Sequence, residues 1–116
     1  MMTAYQPRMY DLSTFGITGG MGWVVDCVFQ EVDAETGELL FEWHSLDHIS
    51  PHASYTKAGS TDTSGTGLAE DSPWDSIHLN SIDKNKQGDY LISCRHTHAV
   101  YKIFNPNCPM GASCWA

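Results

Sequence analysis

His78 and Arg95 are the two residues of this chain whose types and spacing point most directly to chemistry. If residues 84–89 close a hairpin that sets Asp83 against Tyr90, antiparallel pairing brings His78 opposite Arg95. Directly opposed residues share a face with Cβ atoms about 4.5–5.5 Å apart, so an imidazole and a guanidinium project side by side. Asn80, two residues further on, is expected to point the same way. The guanidinium disfavours a second positive charge on the imidazole, which leaves an imidazole donor, an arginine fork and an amide around one spot. Such a set binds tetrahedral oxyanions and could stabilise charge developing on a transferring sulfuryl or phosphoryl group. The structural alternative is a strand-end histidine bonded to neighbouring backbone beside a solvated arginine.

The other histidines raise metal binding. His44, His48 and His52 recur every four residues, and His96 and His98 lie together. H-x-x-x-H is a ligand spacing on one face of a helix, but Pro51 interrupts any helix through this stretch, so no metal site is expected. The acidic turns DAETGE and DKNKQGD lack the order and closing glutamate of a calcium loop. G-x-S-x-G, Walker A and dinucleotide fingerprints are absent, which removes local support for serine-hydrolase, P-loop and Rossmann chemistry. Cys27, Cys94, Cys108 and Cys114 form no C-x-x-C pair and read as free or buried thiols, with disulfide pairing left open. Trp23, Trp43 and Trp74 read as packing residues, Trp74 standing just before His78 in DSPWDSIHLNS.

The elements that must position these residues are strands. WVVDCVFQEV, the turn DAETGE and LLFEW form a β-hairpin over 23–43, with strands at 23–32 and 38–43. Leu39, Phe41 and Trp43 alternate onto one face, while the first strand is apolar on both, as an inner strand would be. Residues 1–22, ending in GITGGMG, read as a lead-in loop. Residues 44–76 read as a long surface loop; its polar part, roughly 29 residues, exceeds the ~12–15 beyond which structureless loops are uncommon. Strands are expected again over 77–83, 89–95 and 98–104, a second β unit over 77–104, followed by an irregular tail at 105–116.

The two units echo each other. Val32-Asp33 and Gly37-Glu38-Leu39-Leu40 match Ile82-Asp83 and Gly88-Asp89-Tyr90-Leu91, about 50 residues on. Propeller blades run ~40–50 residues and about four to eight close a ring, so this chain supplies about two. The expected fold is all-β: roughly two blades of a β-propeller with antiparallel strands, a single partial domain over 1–116. A small self-contained sheet is the rival, disfavoured because open strand edges template aggregation. The same edges lead to the expectation that the isolated chain associates.

Composition limits the partners. Fourteen acidic against six basic side chains give a formal net charge of -8, so no nucleic-acid or anionic-membrane partner is expected, since both need clustered Lys and Arg. Hydrophobic residues at 41% argue for a packed core. No apolar run approaches the ~20 residues of a membrane span, and MMTAYQPRMYDLS lacks a signal-peptide layout. The compartment stays open.

The segments GWVVDCVFQEVDAETGELLFEW, DHIS and DSPWDSIHLNSIDKNKQGDYLISCRHTHAVYKI resemble the arylsulfotransferase family, in particular its fungal type. The resemblance runs from Gly22 to Ile103 and is most distinctive in the order H-x-N-S, D, the G-D-Y-L-I-S strand and R-H-T. It implies a six-bladed β-propeller that moves a sulfuryl group from an aryl sulfate ester to a phenolic acceptor through a sulfated histidine, without a phosphoadenosyl sulfate cofactor. His78 and Arg95 match two of the family's sulfuryl-binding positions, and the sulfated histidine belongs to a later blade, so no nucleophile is assigned and this chain alone is expected to be inactive. Two rivals remain: a non-catalytic propeller that binds an anionic or aromatic ligand, and a quinoprotein-type oxidoreductase. The second is suggested by D-x-x-T-G-x-x-L-x-x-W alone.

Overall fold

The computed structural model describes residues 1–17, 19–59 and 64–105. Six strands carry the fold: β1 (Met2–Asp11), β2 (Met21–Val32), β3 (Leu39–His44), β4 (Leu79–Lys84), β5 (Tyr90–Cys94) and β6 (Ala99–Ile103). They form two three-stranded antiparallel sheets, ordered β1-β2-β3 and β4-β5-β6. Among the described residues the helical elements are three 3₁₀ turns of three residues each. The all-β expectation holds, and each expected strand lies within a few residues of an observed one.

β2 is the central strand its two-faced apolar pattern calls for. Phe29 pairs with Thr3 on one side and Trp43 on the other. Its face packs against the second sheet, where Cys27, Phe29, Trp43, Leu79, Tyr90, Ile92 and Cys94 form one buried cluster. Phe29 and Tyr90 meet at 5.1 Å between ring centroids, and Phe41 stacks on Tyr90 at 4.8 Å. Burying each such side chain contributes about 1.5–3 kcal/mol, so this interlayer supplies most of the force joining the sheets. A buried polar link crosses the same interlayer. Lys84 Nζ lies 2.9 Å from Glu31 Oε1, and the Tyr90 hydroxyl donates to Glu31 Oε2.

The first 22 residues are not all loop: Met2–Asp11 is a strand. β1 pairs with β2 over ten residues, from Met2 opposite Gln30 to Asp11 opposite Met21. Its side chains are almost all exposed, so the strand lacks the apolar alternation by which strands are read, and Pro7 counts against a strand unless it lies on an edge, as it does here. The 50-residue echo covers only the two hairpins. The third strand precedes the hairpin in the first sheet and follows it in the second.

The segment after β3 is also more than a surface loop. Ile49, Pro51 and Trp74 are buried within it, and Trp74 forms a parallel bridge with Val24 at the end of β2. Asp26, 2% exposed, accepts from Ser45 Oγ, the Leu46 amide and His44, with Arg8 at 3.5 Å. That network pins the start of the segment to the first sheet.

The β4-β5 register departs from expectation by one residue. Asp83 pairs with Leu91 and Lys84 with Tyr90, so the turn is 85–89. An irregularity between Leu79 and Ser81 absorbs the slip, and Leu79 pairs with Cys94. A bulge of this kind re-aims the strand at its end, which is where His78 stands.

Candidate functional site

His78 lies immediately before β4, on a stretch of chain anchored from both sides. Trp74 exchanges backbone hydrogen bonds with the β2 end, accepting from Val25 and donating to Trp23, each at 2.9 Å. Its indole donates to Thr56 Oγ1 at 2.9 Å. Ser76 and Ile77 are fully buried. Asp75 and His78 are left half-buried between these fixed points.

Asp75 grips His78 twice. One carboxylate oxygen accepts from the His78 amide at 3.0 Å, and the other lies 2.5 Å from His78 Nδ1. His78 adopts φ 55°, a left-handed conformation that costs a non-glycine residue roughly 1–3 kcal/mol and concentrates at functional sites. The carboxylate offsets that cost by holding both amide and ring. The ring lies between Tyr5, stacked at 6.3 Å, and His96, tilted at 4.9 Å. Tyr5 in turn donates its hydroxyl to the Leu79 carbonyl at 2.5 Å. Burial, then the neighbouring Cys27, Asp75 and Cys94, pushes the Tyr5 phenol above its ordinary value, so it stays a donor.

His96 approaches from the turn after β5. Its Nδ1 lies 2.6 Å from the Asp75 backbone carbonyl, which can only accept, so Nδ1 carries the proton. Among the described residues, neither His78 Nε2 nor His96 Nε2 has a hydrogen-bond partner. The two imidazoles therefore hold their Nδ1 edges toward Asp75 and keep their Nε2 lone pairs available.

Arg95 adjoins His78 through the backbone, its amide donating to the His78 carbonyl at 2.9 Å. Its side chain is exposed. Asn80 is also exposed and sits at the bulge, outside the paired positions of β4. The ring that packs on His78 from the β5 side is that of His96, a residue singled out in the sequence only for lying near His98. His98 instead stacks on Tyr55 at 4.2 Å. Asp75 and Tyr5 were not singled out; the signal for Asp75 was its place three residues before His78, the spacing at which an aspartate caps a turn.

The other histidines separate. His44 bonds to Asp26, His48 stacks on Trp43 and His52 stacks on Phe15, so the four-residue repeat does not gather them. The buried thiols are inert: desolvation pushes Cys27 up to about 12 and Cys94 up to about 11. Cys108 and Cys114 lie outside the described residues.

No curated protein and no solved structure matches the chain. The family model for arylsulfotransferase (ASST) matches residues 1–108, which takes in every strand and all of Asp75, His78, Arg95 and His96. By that match, and with the H-x-N-S and R-H segments brought together at one end of the second sheet, the chain belongs to the arylsulfotransferase family.

Proposed function

We propose that this chain supplies a sulfuryl-binding face of an arylsulfotransferase that moves a sulfuryl group from an aryl sulfate ester to a phenol. The observation that carries the reading is the double grip of Asp75 on His78, which fixes one imidazole with Nε2 outward on a backbone held at φ 55°. Arg95 is the next residue across the hairpin, and its exposed guanidinium is the charge partner for sulfuryl oxygens seated over that ring. Asn80 at the bulge adds an amide on the same end of β4.

The grip changes the role expected for His78. With Nδ1–H committed to the carboxylate, Nε2 donates to a sulfuryl oxygen only as imidazolium, and Asp75 is the counter-ion that form needs. In the neutral form Nε2 is a lone pair able to accept the phenol proton. In the two-step route implied by the family, the aryl S–O bond breaks as an S–N bond forms to a histidine. That S–N bond then breaks as the phenol oxygen takes the sulfuryl group and releases its proton. The histidine that becomes sulfated is assigned to none of the residues described. The two sheets stand in this reading for two blades of a six-bladed propeller, with His78 and Arg95 at the channel end of their strands.

The test is sulfuryl transfer from an aryl sulfate to a phenol by a family enzyme carrying the same H-x-N-S and R-H segments. Replacing the arginine with alanine is expected to lower kcat by about 10²–10³, the loss of one oxyanion donor, about 2.7–4 kcal/mol. Lysine restores part of it, keeping the charge but not the planar fork. Full turnover in the alanine variant would overturn the reading.

A further inference from the structure

The sequence led to no metal centre, yet the fold builds the donor set of one. We propose that Asp75, His78 and His96 form a binding site for a divalent transition metal ion of the zinc class. This goes beyond the sulfuryl-transfer reading and does not depend on it. The three residues each offer a ligand atom, and these atoms all lie within 4.8 Å of one another. Zinc bonds of about 2.0–2.1 Å in a tetrahedral site place ligand atoms roughly 3.3 Å apart, so movements of about 1.5 Å or less close the set.

The hydrogen bond of His96 matches what a metal-ligating histidine requires. Such a histidine donates its other ring N–H to a carboxylate or a backbone carbonyl, which fixes the tautomer and makes the ligating nitrogen more basic. His78 presents Nδ1 to the Asp75 carboxylate, and His96 presents Nδ1 to the Asp75 carbonyl. The His96 bond leaves its Nε2 outward as a ligand, while at His78 the ion takes the place of the proton shared by Nδ1 and the Asp75 carboxylate, so that those two atoms ligate it. Two imidazoles and one carboxylate leave open positions for water or an anion, the composition of a catalytic rather than a closed structural zinc site. The site is half-buried, so an ion can enter from solvent.

Rigidity argues the same way. Asp75 is tied by its amide to the Ser64 carbonyl at 2.7 Å, and His96 by its amide to Ile77 and its carbonyl to the Tyr55 amide. The donors lie on two segments of chain, 75–78 and the turn after β5, both tied down before any ion arrives, which lowers the ordering cost of binding.

The experiment is a titration of the 116-residue chain with Zn²⁺ by calorimetry, and with Co²⁺ by its visible d–d absorption, in a Cys108→Ser/Cys114→Ser background that removes two competing thiols. The expected result is one ion per chain and a rise in Tm with added metal. His78→Ala and His96→Ala each abolish the saturable signal, Asp75→Asn weakens binding about 10–100-fold, and His52→Ala leaves it unchanged. Where an alanine variant lacks the native circular dichroism spectrum, His78→Gln or His96→Gln is titrated in its place. Absence of stoichiometric binding, or binding that survives loss of His78 and His96 but not of His44 or His52, would overturn the proposal.

Discussion

Replacing Lys84 with methionine is expected to destabilise the chain by about 2–3 kcal/mol. Lys84 and Glu31 join the two sheets with side chains only 8% and 16% exposed. At 2.9 Å the gross attraction is on the order of 5 kcal/mol for an effective dielectric of about 20. Stranding one charge of a fully buried pair costs about 3–5 kcal/mol, and the 16% exposure of Glu31 lets water recover part of it. Methionine keeps the apolar stem packed, so the loss reports the charge. The Tyr90 hydroxyl still donates to Glu31, which holds the figure below the upper limit. Urea unfolding followed by tryptophan fluorescence and circular dichroism measures it, with an accompanying fall in Tm of about 10 °C. A Lys84→Met/Glu31→Leu double variant should recover most of the loss, because an apolar pair leaves no buried charge. A single-variant cost under about 0.5 kcal/mol would refute the reasoning, and would mean that solvent screens the pair and apolar packing alone couples the sheets.

Glu31 is held below its ordinary 4.5: burial opposes this, but the Tyr90 and Lys84 hydrogen bonds outweigh it. Its stabilisation is therefore complete above about pH 4.5 and lost as pH falls through the lowered folded value, which a Tm profile in acid checks and Glu31→Gln should flatten. His44 runs the other way. Its bond to Asp26 raises it above 6.5, so its contribution is present below pH 6.5 and lost as pH rises through the folded value; His44→Gln should remove that slope from the neutral part of the profile. Gly65→Ala should cost more than about 2 kcal/mol, because a Cβ there would sit 2.1 Å from the Pro73 carbonyl at φ +84°. Chemical denaturation of that variant is the check. The exposed Met2, Tyr5 and Met9 of β1 and Val100 of β6 should make the chain associate as its concentration rises, measured by sedimentation velocity.

The interior strands were legible because burial writes itself into the pattern. β2 is apolar on both faces and becomes central, and the hairpins follow from Asp33, Gly37 and Gly88 at the turns. β1 was not legible, because an exposed edge strand such as MTAYQPRMYD is held by backbone pairing, which leaves no side-chain period. The one-residue slip at Asn80 was hidden for a related reason: a bulge changes pairing without changing composition. His78 and Arg95 were reached from spacing, and they do meet through the backbone. Asp75 carried a local signal in its place three residues before His78, whereas its meeting with His96 became visible only once the Trp74 bridge carried the 44–76 segment back to the sheet. Such long-range placement depends on packing, and no local motif encodes it.

The central claim is that the His78 turn receives a sulfuryl oxyanion, and ¹H–¹⁵N correlation spectra of the chain titrated with 4-nitrophenyl sulfate test it most directly. The account predicts saturable shifts confined to the amides around Asp75, His78, Leu79, Arg95 and His96, with affinity at least tenfold weaker in Arg95→Ala. Shifts centred elsewhere, or affinity in the Arg95→Ala and His78→Ala variants equal to that of the unsubstituted chain, would contradict it.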